Sequence, residues 1–235
     1  MVRLNSRTAG ERSSTLNTSL LFSSPPCPFL ASSRDSDSVE FYATMHDSDN
    51  SSPEETDLDS LKGSLILADP RLKEPTFRHS VLLLTEHSEE MGAHGYILNR
   101  PLGKSVGELL PDSEFEELGD IPVFVGGPVS TEHLTFLSFG WSEMDNWLQY
   151  STHLSAKEAQ GHQAEGFSVR AFVGYAGWTS GQLESEVEED TWISWKPDQS
   201  IIQLDDLDTL WRRMLREVSP WHRLQADEPD DLRLN

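Results

Sequence analysis

Two short, almost unbroken apolar runs set the tightest limit on how this chain can fold. Ser64-Leu65-Ile66-Leu67-Ala68 and Ser80-Val81-Leu82-Leu83-Leu84-Thr85 are bounded by Asp69-Pro70, Glu74-Pro75 and His79. So few apolar residues between breakers are too short for a helix, and without polar alternation both faces must be covered, so each is predicted to be a buried strand. A third strand, Tyr96-Ile97-Leu98, follows a turn around Ser88 to Met91 and an entry bracketed by Gly92 and Gly95, which makes a hairpin with the second run. It ends at Asn99-Arg100-Pro101-Leu102, because proline has no N–H to give to a sheet ladder.

The punctuation continues downstream. Ser105 to Leu110 is predicted to be a short helix, with Glu108 completing a capping box and Pro111 stopping it. Ile121 to Val125 reads as a strand turned by Gly126-Gly127-Pro128, and Leu134 to Phe139 as the next. An exposed connection leads to a helix over Ser155 to Gln163 and a strand over Ser168 to Tyr175. Thr179 and Gln182 have capping-box spacing for a helix running to about Glu188, and Thr191 to Trp195 reads as a strand. Leu204, Leu207, Leu210, Trp211, Met214, Leu215 and Val218 share one helix face. Asp205, Asp206 and Asp208 lie at the positive end of that helix and Arg212, Arg213 and Arg216 near its negative end. Pro220 is expected to close it. Strands outnumber helices without regular alternation, so the predicted class is α+β, with one mixed, curled sheet flanked by helices in a single domain.

That domain is predicted to span residues 61–220. Ahead of it, residues 1–60 are dominated by Ser, Thr, Asn, Pro and Asp without hydrophobic periodicity, and are expected to be a disordered tail, as is 221–235. The serine- and arginine-rich start can be read as a transit peptide and Leu20-Leu21-Phe22 as a secretory core, but Pro25, Pro26 and Pro28 interrupt any such core and a plain tail is expected. Translation from Met45 is an alternative to Met1. Forty acidic against eighteen basic side chains leave a net charge of −22. Residues 1–60 hold four basic and ten acidic side chains, hence −6, so the folded part carries fourteen and thirty, hence −16. Such a field repels phosphate backbones, and a nucleic-acid groove is not expected, although Arg71, Lys73, Arg78 and Arg100 would be the residues to form one. Cys27 has no second cysteine to pair with, which fits a reducing, cytoplasmic setting, and no stretch is long and apolar enough for a bilayer span.

Several residues invite a chemical reading. Glu86, His87 and His94 lie at the end of the predicted hairpin, where a carboxylate and two imidazoles would have the composition of a metal or acid/base site. The alternative is a polar strand end with His94 facing water. Gly126-Gly127-Pro128 offers either free backbone N–H groups for an anion or simply a tight turn. Asn99 suits pinning a loop through backbone hydrogen bonds and Arg100 could face a ligand. Tyr175 and Trp178 flank small residues before a helix start, where a pocket wall is possible, with Gln182 as the cap partner of Thr179. Trp-rich composition more often reflects packing than a binding face. No nucleophile motif or nucleotide fingerprint is present, and the residues specify no cofactor, metal, ligand or partner.

Three ordered segments carry a family resemblance. They are Gly63 to Pro70 with Phe77-Arg78-His79-Ser80-Val81 and Glu86-His87; Gly92-Ala93-His94-Gly95-Tyr96-Ile97-Leu98-Asn99-Arg100-Pro101 leading to Gly126-Gly127-Pro128-Val129; and Gly174-Tyr175-Ala176-Gly177-Trp178 with Gly181-Gln182-Leu183-Glu184 and Trp192. Together they resemble the YqgE/AlgH family of bacterial cytoplasmic proteins over about Leu61 to Val218. The resemblance implies a bifurcated sheet curled into a pseudo-barrel with helices around it, and no established activity. Some members have been called transcriptional regulators. The chain departs from the usual pattern after Val129: Phe136-Leu137-Ser138-Phe139 lacks a histidine common in relatives, and Gly140 to Gly166 is divergent. The implied function is therefore non-enzymatic binding or regulation, with a small-ligand or metal-dependent site at Glu86, His87 and His94 beside the Gly126-Gly127-Pro128 turn as the alternative.

Overall fold

The structure is a computed structural model that describes residues 2–3, 60–203 and 206–227. Apart from Ser60 and a two-residue strand, β1 (Val2–Arg3), the expected N-terminal tail lies outside the described residues, as do Leu204, Asp205 and 228–235. The apolar runs become β2 (Leu65–Ala68) and β3 (Val81–Ser88), the core of each wholly buried. β3 turns back into β4 (Gly92–Ile97), giving the expected hairpin. β5 (Pro101–Ser105) is a strand where Pro101 was expected to end one. It pairs with β6 (Pro122–Val125) and no other strand, and proline is tolerated at such an edge because its missing N–H is not needed there.

Between them stand α1 (Val106–Leu109), closed by the Ser105 and Glu108 capping box, and a 3-10 turn at Ser113–Leu118. β7 (Val129–Ser142) is longer than the predicted strand, and it is followed by β8 (Trp147–Leu154), which falls inside the segment read as an exposed connection. Only Leu148 and Leu154 of β8 are buried, so its apolar pattern is too sparse to announce a strand. α2 (Ala156–Ala164) is capped by Ser155, whose side chain accepts from Glu158 N–H. β9 (Ser168–Trp178), α3 (Gln182–Glu188), β10 (Trp192–Trp195) and a 3-10 turn at Gln199–Ile202 lead to α4 (Leu207–Val218).

The domain does not close at Pro220. Residues Pro220–Asp227 form α5, packed on α4 with Ala226 fully buried and Arg212 donating to Ala226 O at 2.6 Å. Pro220 ends one helix and begins the next, since proline's fixed φ suits a first helical turn whose N–H has no partner, and Ser219 Oγ accepts from His222 N–H. This corrects the expectation of a tail from residue 221.

The strands form one mixed sheet in the order β1-β7-β9-β4-β3-β2-β10, with β8 added to β7 and β5 to β6. It forks at β9. Residues Ala171, Phe172 and Val173 pair with β6 in parallel, and Ala176, Gly177 and Trp178 pair with β4 antiparallel. At the fork Gly126 N–H donates to Val173 O while Gly126 O accepts from Ile97 N–H, so one residue ties three strands. A Cβ on Gly126 would stand 2.3 Å from Gly174 O, and one on Gly127 2.2 Å from Tyr175 O, while Gly174 itself adopts a φ of 67°. The Gly-Gly-Pro turn is thus a place where backbones touch.

The forked sheet curls, and helices cover it. One apolar layer packs β2, β3, β4, β7 and β9 against α4, α5 and the 199–202 turn, with Trp211 Nε1 donating to Ala68 O at 2.7 Å. A second lies among α1, the 113–118 turn, α2 and the strands facing them. A third joins Ile66, Leu82, Ile97, Trp178 and Trp192 to Leu183 of α3. The structure is α+β with a curled mixed sheet and flanking helices, as the sequence predicts.

Candidate functional site

The β3–β4 hairpin sorts its polar end by strand alternation. Glu86 lies directly opposite His94, and His87 opposite Ala93, so Glu86 and His94 share one face while His87 points to the other. The expected convergence of Glu86, His87 and His94 is corrected accordingly: adjacent strand residues cannot face the same side. His87 acts as a latch. Its side chain is 4% exposed, its Nδ1 accepts from Leu61 N–H at 3.0 Å, and Nε2 lies 2.9 Å from Glu184 Oε1. A nitrogen that accepts carries no proton, so Nε2 holds it and donates to Glu184, tying the start of the domain to α3.

On the opposite face, His94 is the centre of an aromatic and polar rim. Its ring lies 4.1 Å from that of Tyr175, 5.2 Å from Tyr96 and 6.0 Å from His153. Thr85 Oγ1 donates to His94 O at 3.2 Å, and Tyr150 OH donates to Thr85 O at 3.3 Å, so β8 reaches across to β3. His153 arrives through a bulge: between the pairs Phe136 with Leu154 and Ser138 with Ser151, β8 carries two residues against one, and His153 takes a φ of 57°. That conformation is uncommon for a residue with a Cβ, and His153 is exposed, as is Glu86.

Burial sets the charge states here. It pushes the His94 imidazole below its ordinary value, helped by neighbouring His153 and opposed by Glu86, so His94 is neutral at pH 7. Burial likewise raises the Tyr150 phenol to about 12 and Tyr96 further still, with Glu86 adding to both. Both phenols remain protonated. A histidine whose folded value is depressed binds fewer protons folded than unfolded, so stability is present above the unfolded value near 6.5 and falls as pH drops through that window. Melting curves between pH 7.5 and 5.5 are expected to show this loss, and the His94→Asn variant a shallower one.

The other candidates hold the fold. Asn99 Oδ1 accepts from Val81 N–H and Nδ2 donates to His79 O, both at 2.9 Å, which locks the start of β3 to the end of β4. Replacing it by alanine orphans a buried N–H and a C=O, so Asn99→Ala is expected to cost about 2–3 kcal/mol in urea unfolding. Arg100 donates to the carbonyl of Arg78, and Arg71 pairs with Asp69 at 2.7 Å and faces Asp190, so neither extends freely from a basic patch. Gly126 has already given its N–H to Val173. Trp178 is 7% exposed, and Glu186 Oε2 accepts from both Trp178 Nε1 at 2.9 Å and Trp192 Nε1 at 2.7 Å. Gln182 Oε1 accepts from Thr179 N–H at 3.1 Å, but the helix cap is Gly181, with a φ of 75°, rather than the expected Thr179.

Sequence reasoning missed His153, because its strand was read as a loop, and a close Ser138–His162 contact of 2.7 Å. Ser138 is fully buried, so no substrate reaches that pair. Open clefts lie elsewhere, one lined by Asp69, Arg71, Lys73 and Asp190, another by Leu110, Asp112, Phe115 and Gly119. Among the described residues no cluster of three or more His, Cys, Asp or Glu is placed to hold a metal ion, and no helix is long and apolar enough to cross a membrane.

With this geometry in view, known proteins provide the comparison. The AlgH-like family model matches residues 65–222. The UPF0301 protein of Streptomyces coelicolor is 34% identical over 194 residues, covering 77% of this chain and 98% of that protein. Its counterpart in Bacteroides fragilis is 31% identical over 182 residues, 74% of this chain and 91% of its own. The solution structure of AlgH from Pseudomonas aeruginosa, also described as UPF0301, superposes with a TM-score of 0.52 at 26% identity, over 76% of this chain and 100% of that one. A crystal structure of a Corynebacterium diphtheriae protein shares the fold with a TM-score of 0.55 at 20% identity, over 71% of this chain and 92% of its own. On the extent of these matches, the chain belongs to the AlgH-like family, the group its relatives carry as UPF0301.

Proposed function

We propose that this protein acts by binding, in the cytoplasm, and that the rim formed by Glu86, His94, His153 and Tyr175 takes a small ligand bearing a cationic amine or guanidinium. The observation that carries the reading is His94: a neutral imidazole whose ring lies 4.1 Å from that of Tyr175, tilted by 30°, and which sits across the hairpin from exposed Glu86. A carboxylate, an acceptor nitrogen and the face of an aromatic ring together favour a cation with N–H donors. The −22 charge of the chain draws such ligands in. A regulatory role fits the same picture, since binding without turnover is what a regulator requires. The residue set also has acid/base composition, which keeps an enzyme or sensor as the second reading. Agmatine and spermidine titrations followed by melting temperature separate the two. Stabilisation by mass action that Glu86→Gln abolishes supports binding, whereas turnover of an ester, phosphate or nucleotide panel lost in Glu86→Ala would replace it with catalysis.

A further inference from the structure

One edge of β7 is divided between two neighbours. β8 covers it from Ser142 back to Phe136, where β8 ends at Leu154. Immediately upstream, His133 and Leu134 pair instead with Arg3 and Val2 of β1, antiparallel. On its other edge the same stretch is released by β9: the register jumps from Val129 opposite Tyr175 to Leu134 opposite Val173, and Ser130 takes a φ of 53°. Val129, Thr131 and Glu132 are exposed. Among the described residues this is therefore a strand edge with a bulge, covered at one point by Val2 and Arg3. Such edges pair readily with any extended segment that reaches them.

We propose that the Val129–Leu134 edge of β7 is a strand-addition site for a short, extended, arginine-bearing segment, and that the chain's own Val2–Arg3 segment fills it in cis. Charge selects that occupant. Residues 1–34 hold four arginines and one glutamate in a chain whose net charge is −22, and Glu132 stands on the accepting edge. Main-chain hydrogen bonds supply the affinity in this mode of recognition, and alternate side chains the specificity. The pairing is also displaceable. Two residues make few hydrogen bonds, each worth about 0.5–1.5 kcal/mol net, so a better-matched basic strand exchanges with β1 rather than being shut out. β1 is then a built-in competitor that keeps the edge from pairing at random and yields to a longer partner strand.

The test uses the full chain and the synthetic peptide Met-Val-Arg-Leu-Asn, amidated at its C-terminus. In the double variant Val2→Pro, Arg3→Pro, which cannot donate to a ladder, the backbone amides between residues 132 and 135 are expected to exchange with deuterium at least about tenfold faster than in the parent. Peptide in excess is expected to restore their protection saturably, and its Arg→Glu version to restore less. In the parent chain the same peptide should need higher concentration to shift these amides. Unchanged exchange in the variant, or peptide-induced shifts that miss residues 131–135, would overturn the proposal. Protection in the parent that rises with protein concentration would assign the strand to a second copy and overturn occupancy in cis.

Discussion

Arg170→Ala is expected to lower unfolding stability by about 3–5 kcal/mol, measured by urea denaturation. Arg170 sits on β9 with no exposed surface, and among the described residues no carboxylate meets it. Its Nη2 donates to Ile201 O at 2.6 Å and Ile202 O at 2.9 Å, which satisfies carbonyls of the 199–202 turn. The guanidinium carbon lies 4.9 Å from the centre of the Phe139 ring and 5.8 Å from that of Phe124, so ring faces stand where a counter-ion is usual. Burial drives its pKa down to about 10, which leaves the group charged at neutral pH. Alanine removes a large buried side chain and orphans two carbonyls at once. Arg170→Met keeps most of the volume and discards a desolvated charge, so it should recover about half of the loss. A loss below about 1 kcal/mol for Arg170→Ala would mean that the turn re-pairs without it.

Gly126→Ala is expected to cost as much or to prevent folding. The added methyl would meet Gly174 O at 2.3 Å and the Tyr96 ring at 3.0 Å, and the first of these is a backbone atom, which cannot step aside as the end of a flexible side chain can. Overpacking against fixed atoms costs about 1–3 kcal/mol even where side chains can yield, and here the junction of β4, β6 and β9 must open as well. Exchange of the Ile97 amide, which donates to Gly126 O, should rise with the damage. Gly161 provides the control. It lies inside α2 with nothing within 4 Å of where an added methyl would stand, so Gly161→Ala is expected to stabilise by about 0.5–1 kcal/mol.

These two residues mark how far the fold is legible in the sequence. The glycines at 126 and 127 announce a turn, yet only the paired strands reveal that the turn is a fork where three backbones meet. β2 and β3 follow directly from their unbroken apolar runs, because continuous burial leaves no polar position to obscure the pattern. β8 escapes for the opposite reason: a strand with two buried residues and a polar outer face looks like a loop. α5 escapes because Pro220 is read as a stop, though it serves equally as a start. Arg170 carries no advance sign of burial, since its partners are carbonyls contributed by a distant turn.

The rim shows a similar split. Asn99 as a backbone clamp is legible from a polar residue at a strand end before proline. The pairing of Glu86 with His94 follows from hairpin register, and the same period of two separates His87 from them, a consequence available from sequence once register is assigned. His153 depends on a bulge in an unrecognised strand, so nothing in the local sequence points to it. The depressed His94 value arises from burial of the ring and from neighbouring His153, against Glu86, and that surrounding is made only by the tertiary fold.

The most direct measurement is a titration of the full-length protein with agmatine, following the His94 and His153 ring resonances by NMR at pH 7. Saturable movement of both, absent in Glu86→Gln, is the expected result. Rings that stay still at saturating agmatine, or that move equally in Glu86→Gln, would contradict the assignment of this rim as the place where the protein meets its ligand.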